Sequence, residues 1–458
     1  MKLVIKKTEE LNGEVVIPSS KSHTIRSVII ASLAEGKSVL ENPLMSADTK
    51  AAIEGCKALG AKIEELDGKL IIEGFGSKPK KPEEPLNTSE IGTNKTPVSS
   101  ESDELISENA QDPPNQIVLD MLNSGTSINL LTSVVALGDF QVILDGDDSL
   151  RTRPVQPLLN ALNNLGASVL SQNNDGCPPI EVTGPMKGGK TEIDCRSSQY
   201  LSSLLISCPL VENDTEIIVL NLCEEPYVEM TLKYLNQQEI NYEADGLRHF
   251  KIKGGQKYKP MEIIIPSDWS SAAFPLVAAA ITKSNVLLKG LDLEDIQGDK
   301  QIIEYLRKMG ADITIEEQGI RIKGKELVGC ELDLNQTPDA LPAVSILGCF
   351  AKGKTIIKNV AHARIKETDR IKVMAKELSK MGVDVLELHD GLQIMQSQLK
   401  GAKVQGHHDH RVVMALSLAG LIAEGKTEVT TAEAVSVTFP NYLEFMKSIG
   451  ANMEEEKK

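Results

Sequence analysis

The run Arg364-Ile365-Lys366-Glu367-Thr368-Asp369-Arg370 sets cations, carboxyl groups and a hydroxyl side by side. On a helix, Lys366 and Arg370 stand at i and i+4 and share a face, with Glu367 beside them. That arrangement suits an anionic substrate that must also meet an acid or a base. A solvated, ion-paired helix face carries the same pattern, so the run gains weight only from company. Lys21-Ser22, Arg151-Thr152-Arg153-Pro154 and Asp409-His410-Arg411 repeat the theme.

The elements that must position these groups begin just after them. Lys21-Ser22 precedes the apolar run Ile25 to Leu33, and Asn123-Ser124-Gly125-Thr126-Ser127 precedes Ile128 to Leu137. Ser197-Ser198-Gln199 precedes Leu201 to Ile206, and Asp409-His410-Arg411 precedes Val412 to Leu418. A Ser, Thr or Asp before one helix is a plain N-cap. Several such ends, each paired with Lys or Arg, describe anion pockets, because free N–H groups and the helix dipole favour phosphate and carboxylate. Arginine adds bidentate hydrogen bonds. Acid and base candidates are Glu367 and Asp339, the latter in Thr337-Pro338-Asp339-Ala340, where it also reads as a helix cap. A carboxyl in a cationic pocket has a lowered pKa unless burial dominates. Asp339 could therefore stay ionised as a base while a more buried Glu367 holds a proton, and the sequence leaves that assignment open.

His407-His408-Asp409-His410 resembles a metal tract but lacks a helical His-x-x-x-His spacing, so no metal is assigned. No Gly-x-Ser-x-Gly elbow supports a hydrolase triad. Composition narrows the partners. The chain has 458 residues, enough for two or three domains, with 41% hydrophobic, 25% charged and only 3% aromatic residues. The core is therefore aliphatic. A net charge of −16 argues against nucleic acid or an anionic membrane and makes clustered cations notable. Seven cysteines without a Cys-x-x-Cys pair, and a strand-like start at Met1-Lys2-Leu3-Val4-Ile5, point to a reducing, cytoplasmic setting. The longest apolar runs, such as Val412 to Ala423, are shorter than a bilayer requires.

A motif recurs along the chain: a helical stretch ends in Leu/Met/Ile-Gly-Ala/Val and a hairpin follows. It occurs at Leu59-Gly60-Ala61, Leu165-Gly166-Ala167, Met309-Gly310-Ala311, Met381-Gly382-Val383 and Ile449-Gly450-Ala451, with a degenerate copy near Leu235-Asn236-Gln237. The spacing is roughly 70 residues apart from the first interval, a true internal repeat with glycine as the helix C-cap. Each unit also holds a helix apolar on nearly every side, such as Ser198 to Leu205, Ser270 to Ile281 or His410 to Ala423, which must be buried. The expected fold is α/β: six repeats with buried inner helices wrapped by strands and outer helices. Residues 76–116, rich in Pro, Ser, Glu and Asn, lengthen the first interval and read as a disordered insertion.

Together these segments resemble the 5-enolpyruvylshikimate-3-phosphate synthase family. The resemblance rests on Pro18-Ser19-Ser20-Lys21-Ser22 with Arg26, Asn123-Ser124-Gly125-Thr126, Arg153-Pro154, Ser197-Ser198-Gln199, Pro338-Asp339, Lys366-Glu367-Thr368-Asp369-Arg370 and Asp409-His410-Arg411. It implies an enolpyruvyl transferase fold, an inside-out α/β barrel of two globular domains with three repeats each. The domains would be residues 1–18 with 267–458, and 19–266 containing the insertion. The implied reaction moves the enolpyruvyl group of phosphoenolpyruvate to the 5-hydroxyl of shikimate 3-phosphate, without cofactor or metal, in a monomer.

By the same resemblance, Lys21, Ser22, Arg26, Ser197, Ser198, Gln199, Tyr227, Asp339, His362 and Lys366 would hold shikimate 3-phosphate. Lys21, Asn123, Gly125, Arg153, Gln199, Arg370 and Arg411 would hold phosphoenolpyruvate. Lys21, Asp339 and Glu367 would be catalytic, Asp339 taking the hydroxyl proton and Glu367 handling the methylene proton. Four positions depart from the family pattern. Val437 replaces a lysine, Glu224 replaces a serine ahead of Pro226-Tyr227 and is expected to point away, His362 replaces an asparagine, and Leu130 replaces a proline. Two rival readings share the scaffold. A transferase acting on UDP-N-acetylglucosamine would carry a reactive cysteine that Asp145 to Pro157 lacks. A non-catalytic anion-binding module would not need Lys21, Asp339 and Glu367 together.

Overall fold

The computed structural model describes residues 1–81 and 117–456. Most of the insertion expected at 76–116 therefore lies outside the described residues. Among the described residues the α-helices are, in order, α1 (Lys21–Ser32), α2 (Ala47–Ala58), α3 (Gly125–Val135), α4 (Gln156–Asn164), α5 (Ser198–Ser207), α6 (Glu225–Gln237), α7 (Trp269–Ile281), α8 (Ile302–Lys308), α9 (Leu341–Phe350), α10 (Arg370–Lys380), α11 (His410–Ile422) and α12 (Tyr442–Ser448).

Odd-numbered helices are the inner ones and even-numbered helices the outer ones. In α9, Leu341-Pro342-Ala343-Val344-Ser345-Ile346-Leu347-Gly348-Cys349 is buried throughout, as a helix apolar on all sides must be. Serines in these helices spend their hydroxyls inside the bundle. Ser133 Oγ donates to the Ser203 carbonyl at 2.7 Å and shares a hydrogen bond with Ser207 Oγ at 2.8 Å. These bonds satisfy polar atoms that would otherwise be costly to bury.

Each inner–outer helix pair belongs to one four-stranded sheet, and the six sheets share one order. In the first, Glu262–Ile264 runs parallel to Glu35–Glu41, which pairs antiparallel with Lys69–Phe75 of the hairpin Lys62–Leu66/Lys69–Phe75. The helix pair ends in a left-handed glycine at Gly60, Gly166, Gly310, Gly382 and Gly450. No Cβ penalty opposes that conformation, so the chain can turn directly into the hairpin. The sixth copy lies three residues beyond the expected Leu235-Asn236-Gln237: α6 continues to Gln237, and Glu239 at φ 57° supplies the reversal.

Two cores result. One gathers α1, α3 and α5, including Ile25, Leu131 and Leu204; the other gathers α7, α9 and α11, including Trp269, Leu347 and Met414. The amino-terminal strands join the second group. Lys2–Lys6 lies between Lys426–Thr430 and Met453–Glu456, and Glu10–Val16 runs parallel to Lys283–Lys289. Glu262–Ile264 completes a sheet of the first group. The chain thus passes between the halves on adjacent segments, where Ser19 bridges Ser267.

Candidate active site

Helix beginnings from both halves converge on one pocket. Lys21 and Ser22 start α1, Gly125 and Thr126 start α3, and Ser198 and Gln199 start α5; all line it. The caps hold each start in register. Ser124 Oγ accepts from Ser127 N at 3.2 Å, and Asp409 Oδ1 accepts from Arg411 N at 2.9 Å. Across the pocket stand Asp339, in the turn before α9, and His362, Lys366 and Glu367, ahead of α10. A Cβ at Gly125 would lie 3.0 Å from Arg153 NH1, so glycine is what leaves room there.

The expected helix through Lys366 and Arg370 is corrected. Asp369 Oδ1 accepts from Lys372 N at 3.0 Å and caps α10, which begins only at Arg370, while Lys366 has extended backbone. An Asp with a free first turn beside it is a better cap than a helix interior. Lys366 and Arg370 still converge, through Asp339 rather than through a shared helix face. Arg370 NH1 donates to Asp339 Oδ1 at 2.7 Å, and Lys366 Nζ lies 3.9 Å from the same oxygen.

Arg370 is fully buried, with its other nitrogens on Glu367 at 2.5 Å and on Asp409 at 2.8 Å. Arg411 donates to Asp339 Oδ2 at 2.9 Å, yet its Nε and NH1 are buried without a partner among the described residues. Unmatched buried guanidinium donors are costly unless an anion reaches them. Lys21 Nζ donates to buried Asp48 at 2.9 Å.

Burial presses the Asp339 pKa upward, but Arg411, Lys366 and Arg370 outweigh it and hold the carboxyl ionised, well below its usual range. Burial likewise raises Glu367, and Arg370, Arg153, His410 and Lys21 overcome it. Of the alternatives the sequence leaves open, Glu367 is therefore ionised as well: burial alone does not beat four cationic or imidazole neighbours. Asp299, buried behind Tyr227, goes the other way. Burial and then the Asp339 charge push it up to about 7, while Tyr227 OH donates to it at 2.5 Å.

Of the expected site residues, Lys21, Ser22, Arg26, Gly125, Arg153, Ser197, Ser198, Gln199, Tyr227, Asp339, His362, Lys366 and Glu367 line the pocket. Arg370 and Arg411 stand behind its carboxylates. Asn123 does not line it; its carbonyl and Oδ1 accept from Arg153 at 3.1 and 2.7 Å and so aim that arginine. Arg26 is committed largely to protein partners, donating to Thr231 Oγ1 at 2.9 Å and to the Ser22 and Tyr227 carbonyls at 3.2 Å. Burial lowers its pKa to about 10.

Glu224 is corrected too. It does not point away but lines the pocket, accepts from Ser198 Oγ at 2.8 Å and pairs with Lys366. Leu130 is buried in α3, and half-buried Val437 closes a turn that packs on α2. Neither lines the pocket.

Sequence reasoning missed Asp48, Ser149 and Asp299. Ser149 Oγ donates to the Glu367 carbonyl at 2.9 Å across the cleft, and nothing local in the sequence marks it. The histidine tract diverges: His407 bonds Glu377 at 3.0 Å, whereas His410 lies 4.0 Å from Glu367. Among the described residues no helix is long and apolar enough to cross a membrane.

Comparison with known proteins agrees with this geometry. The family model for EPSP synthase (3-phosphoshikimate 1-carboxyvinyltransferase) matches residues 5–93 and 87–446. A 3-phosphoshikimate 1-carboxyvinyltransferase of Acetivibrio thermocellus is 49% identical over 99% of both chains. One of Ruminiclostridium cellulolyticum is 42% identical over 97% of this chain and 98% of that one. The solved EPSP synthase of Acinetobacter baumannii superposes with a TM-score of 0.78 at 28% identity, covering both chains completely. The architecture is thus the two-domain α/β fold of that enzyme, and the chain belongs to the EPSP synthase family of transferases.

Proposed function

We propose that this chain transfers the enolpyruvyl group of phosphoenolpyruvate to the 5-hydroxyl of shikimate 3-phosphate, releasing phosphate. The observation that carries the reading is the pair of ionised carboxylates, Asp339 and Glu367, both held by Arg370, with Arg411 on Asp339 keeping unmatched donors for an anion. A simple anion-binding module needs the arginines but not the carboxylates.

In this reading Ser22, Arg26, Ser197, Ser198, Tyr227, His362 and Lys366 hold shikimate 3-phosphate. Gly125, Arg153, Arg370 and Arg411 hold phosphoenolpyruvate, with Asn123 aiming Arg153. Lys21 and Gln199 touch both substrates. Two anions in one pocket neutralise the cations that depress Asp339 and Glu367, so their pKa values climb toward the working range as the substrates bind. Glu367, now protonated, gives its proton to C3 of phosphoenolpyruvate. The 5-hydroxyl oxygen bonds to C2 as Asp339 takes its proton. The tetrahedral adduct then breaks its C2–phosphate oxygen bond, a C3 proton returns to Glu367, and the hydroxyl proton leaves with phosphate. Arg370, Arg411 and Lys21 stabilise the charge that shifts onto the phosphate.

We further infer that the halves, 1–18 with 267–458 and 19–266, close over the substrates and part to release product, by a monomer in the cytoplasm. The free cysteines among the described residues suit a reducing compartment. The test is phosphate release from phosphoenolpyruvate with shikimate 3-phosphate or UDP-N-acetylglucosamine as acceptor. Release with the first alone is expected. Release with the second alone, or with neither, overturns the reading.

A further inference from the structure

Glu224 sits where an anion would be expected to bind, yet it is itself an anion. It caps α6 with left-handed backbone at φ 57°, and its side chain is 2% exposed. Its carboxylate accepts from Ser198 Oγ at 2.8 Å, at the start of α5, and pairs with Lys366 from the opposite half. The neighbouring Glu225 N donates to Gln336 Oε1 at 2.8 Å, which pins this segment across the cleft. The charged or titratable groups around Glu224 are Lys366, His362 and Asp339, with Arg26, Tyr200 and Cys223 behind.

A helix beginning with two serines facing a lysine is the natural seat of a phosphate. Here the carboxylate already occupies the lysine and one of the hydroxyls. The mechanism above has no use for Glu224.

We propose that Glu224 is a built-in competitor for the acceptor's phosphate: binding takes Lys366 and Ser198 away from it and drives a proton onto its carboxyl. The inference rests on the proposed acceptor. Without substrate, burial would raise the Glu224 pKa, but Lys366 and His362 keep the group ionised. A phosphate dianion claiming Lys366 removes that support and adds a like charge in a water-poor pocket, so proton uptake is the cheaper outcome. A group whose pKa rises on binding couples affinity to protons: the acceptor binds more weakly as pH rises between the two pKa values. The device makes acceptor affinity answer to pH without altering the phosphoenolpyruvate end of the pocket.

Calorimetric titration with shikimate 3-phosphate in buffers of different ionisation enthalpy counts the protons. The measurement belongs at mildly alkaline pH, where the phosphate is already a dianion. The unmodified protein should take up roughly half a proton or more per acceptor bound. Glu224→Gln and Glu224→Ser should lose that uptake and bind the acceptor about a thousandfold more tightly, because a carboxyl ionised below its ordinary range and half protonated at mildly alkaline pH spans several decades of acidity. A merely structural Glu224 would give weaker binding in both variants and unchanged proton uptake, which overturns the proposal. Tight binding and turnover by the unmodified protein without proton uptake overturns it alone. Failure of the acceptor to bind or react at all overturns the proposed function as well.

Discussion

The two walls of the pocket differ in kind. The wall from α1, α3 and α5 offers helix N-termini, hydroxyls, two amides and cations, with Glu224 as its one lining carboxylate among the described residues. The opposite wall sets Asp339 and Glu367 against Arg370 and Arg411, with Asp409 buried behind Arg370. Neutral donors and N-termini bind anions without exchanging protons at working pH. Carboxylates clamped by arginine change protonation when the arginines find other partners. Glu224 apart, the first wall therefore holds, and the second holds and reacts.

Breaking the reacting wall should have the largest effect. Glu367→Gln keeps the hydrogen bond to Arg370 but cannot carry a proton, and should lower kcat by about 10²–10⁴ with a smaller change in KM for either substrate. Steady-state kinetics checks this. Asp339→Asn should cost less in kcat, about 10²-fold, because Arg370, Arg411 and Lys366, released from a shared charge, turn more fully to the substrates and partly offset the loss of the base.

On the holding wall the balance reverses. Gln199→Ala removes the acceptor of the Asn129 bond and the donor to Thr126, seen at 2.8 and 3.1 Å, and should raise KM about tenfold for one or both substrates while kcat changes little. The smallest effect belongs to Val437→Lys. This turn packs on α2, which carries Asp48, the partner of Lys21, so an added cation should lower the phosphoenolpyruvate KM by about threefold or less. An unchanged KM would mean that position 437 lies beyond useful electrostatic reach.

What was legible in the sequence is what short-range physics decides. N-caps at Ser124, Ser197 and Asp409 and the C-terminal glycines were readable because each acts within one turn of its own helix. The pairing of Glu10–Val16 with Lys283–Lys289 was not, since no local pattern says which strand a strand will join. The sixth repeat slipped because Glu239, not glycine, takes the left-handed position. Lys366 to Arg370 misled because i,i+4 spacing outweighed Asp369, a cap residue in plain sight. The direction of Glu224 is set by Lys366 from the other half, 142 residues away in sequence. Site membership was thus more readable than site geometry.

The most direct test of the division between walls is deuterium entry at C3 of phosphoenolpyruvate in deuterated water, followed by NMR. Addition turns C3 into a methyl group that rotates, so elimination in either direction returns a labelled methylene. The account predicts label in phosphoenolpyruvate from the unmodified protein only when shikimate 3-phosphate is present, and little or none from Glu367→Gln under the same conditions. Label without acceptor, or undiminished label from Glu367→Gln, would contradict the role given to the reacting wall.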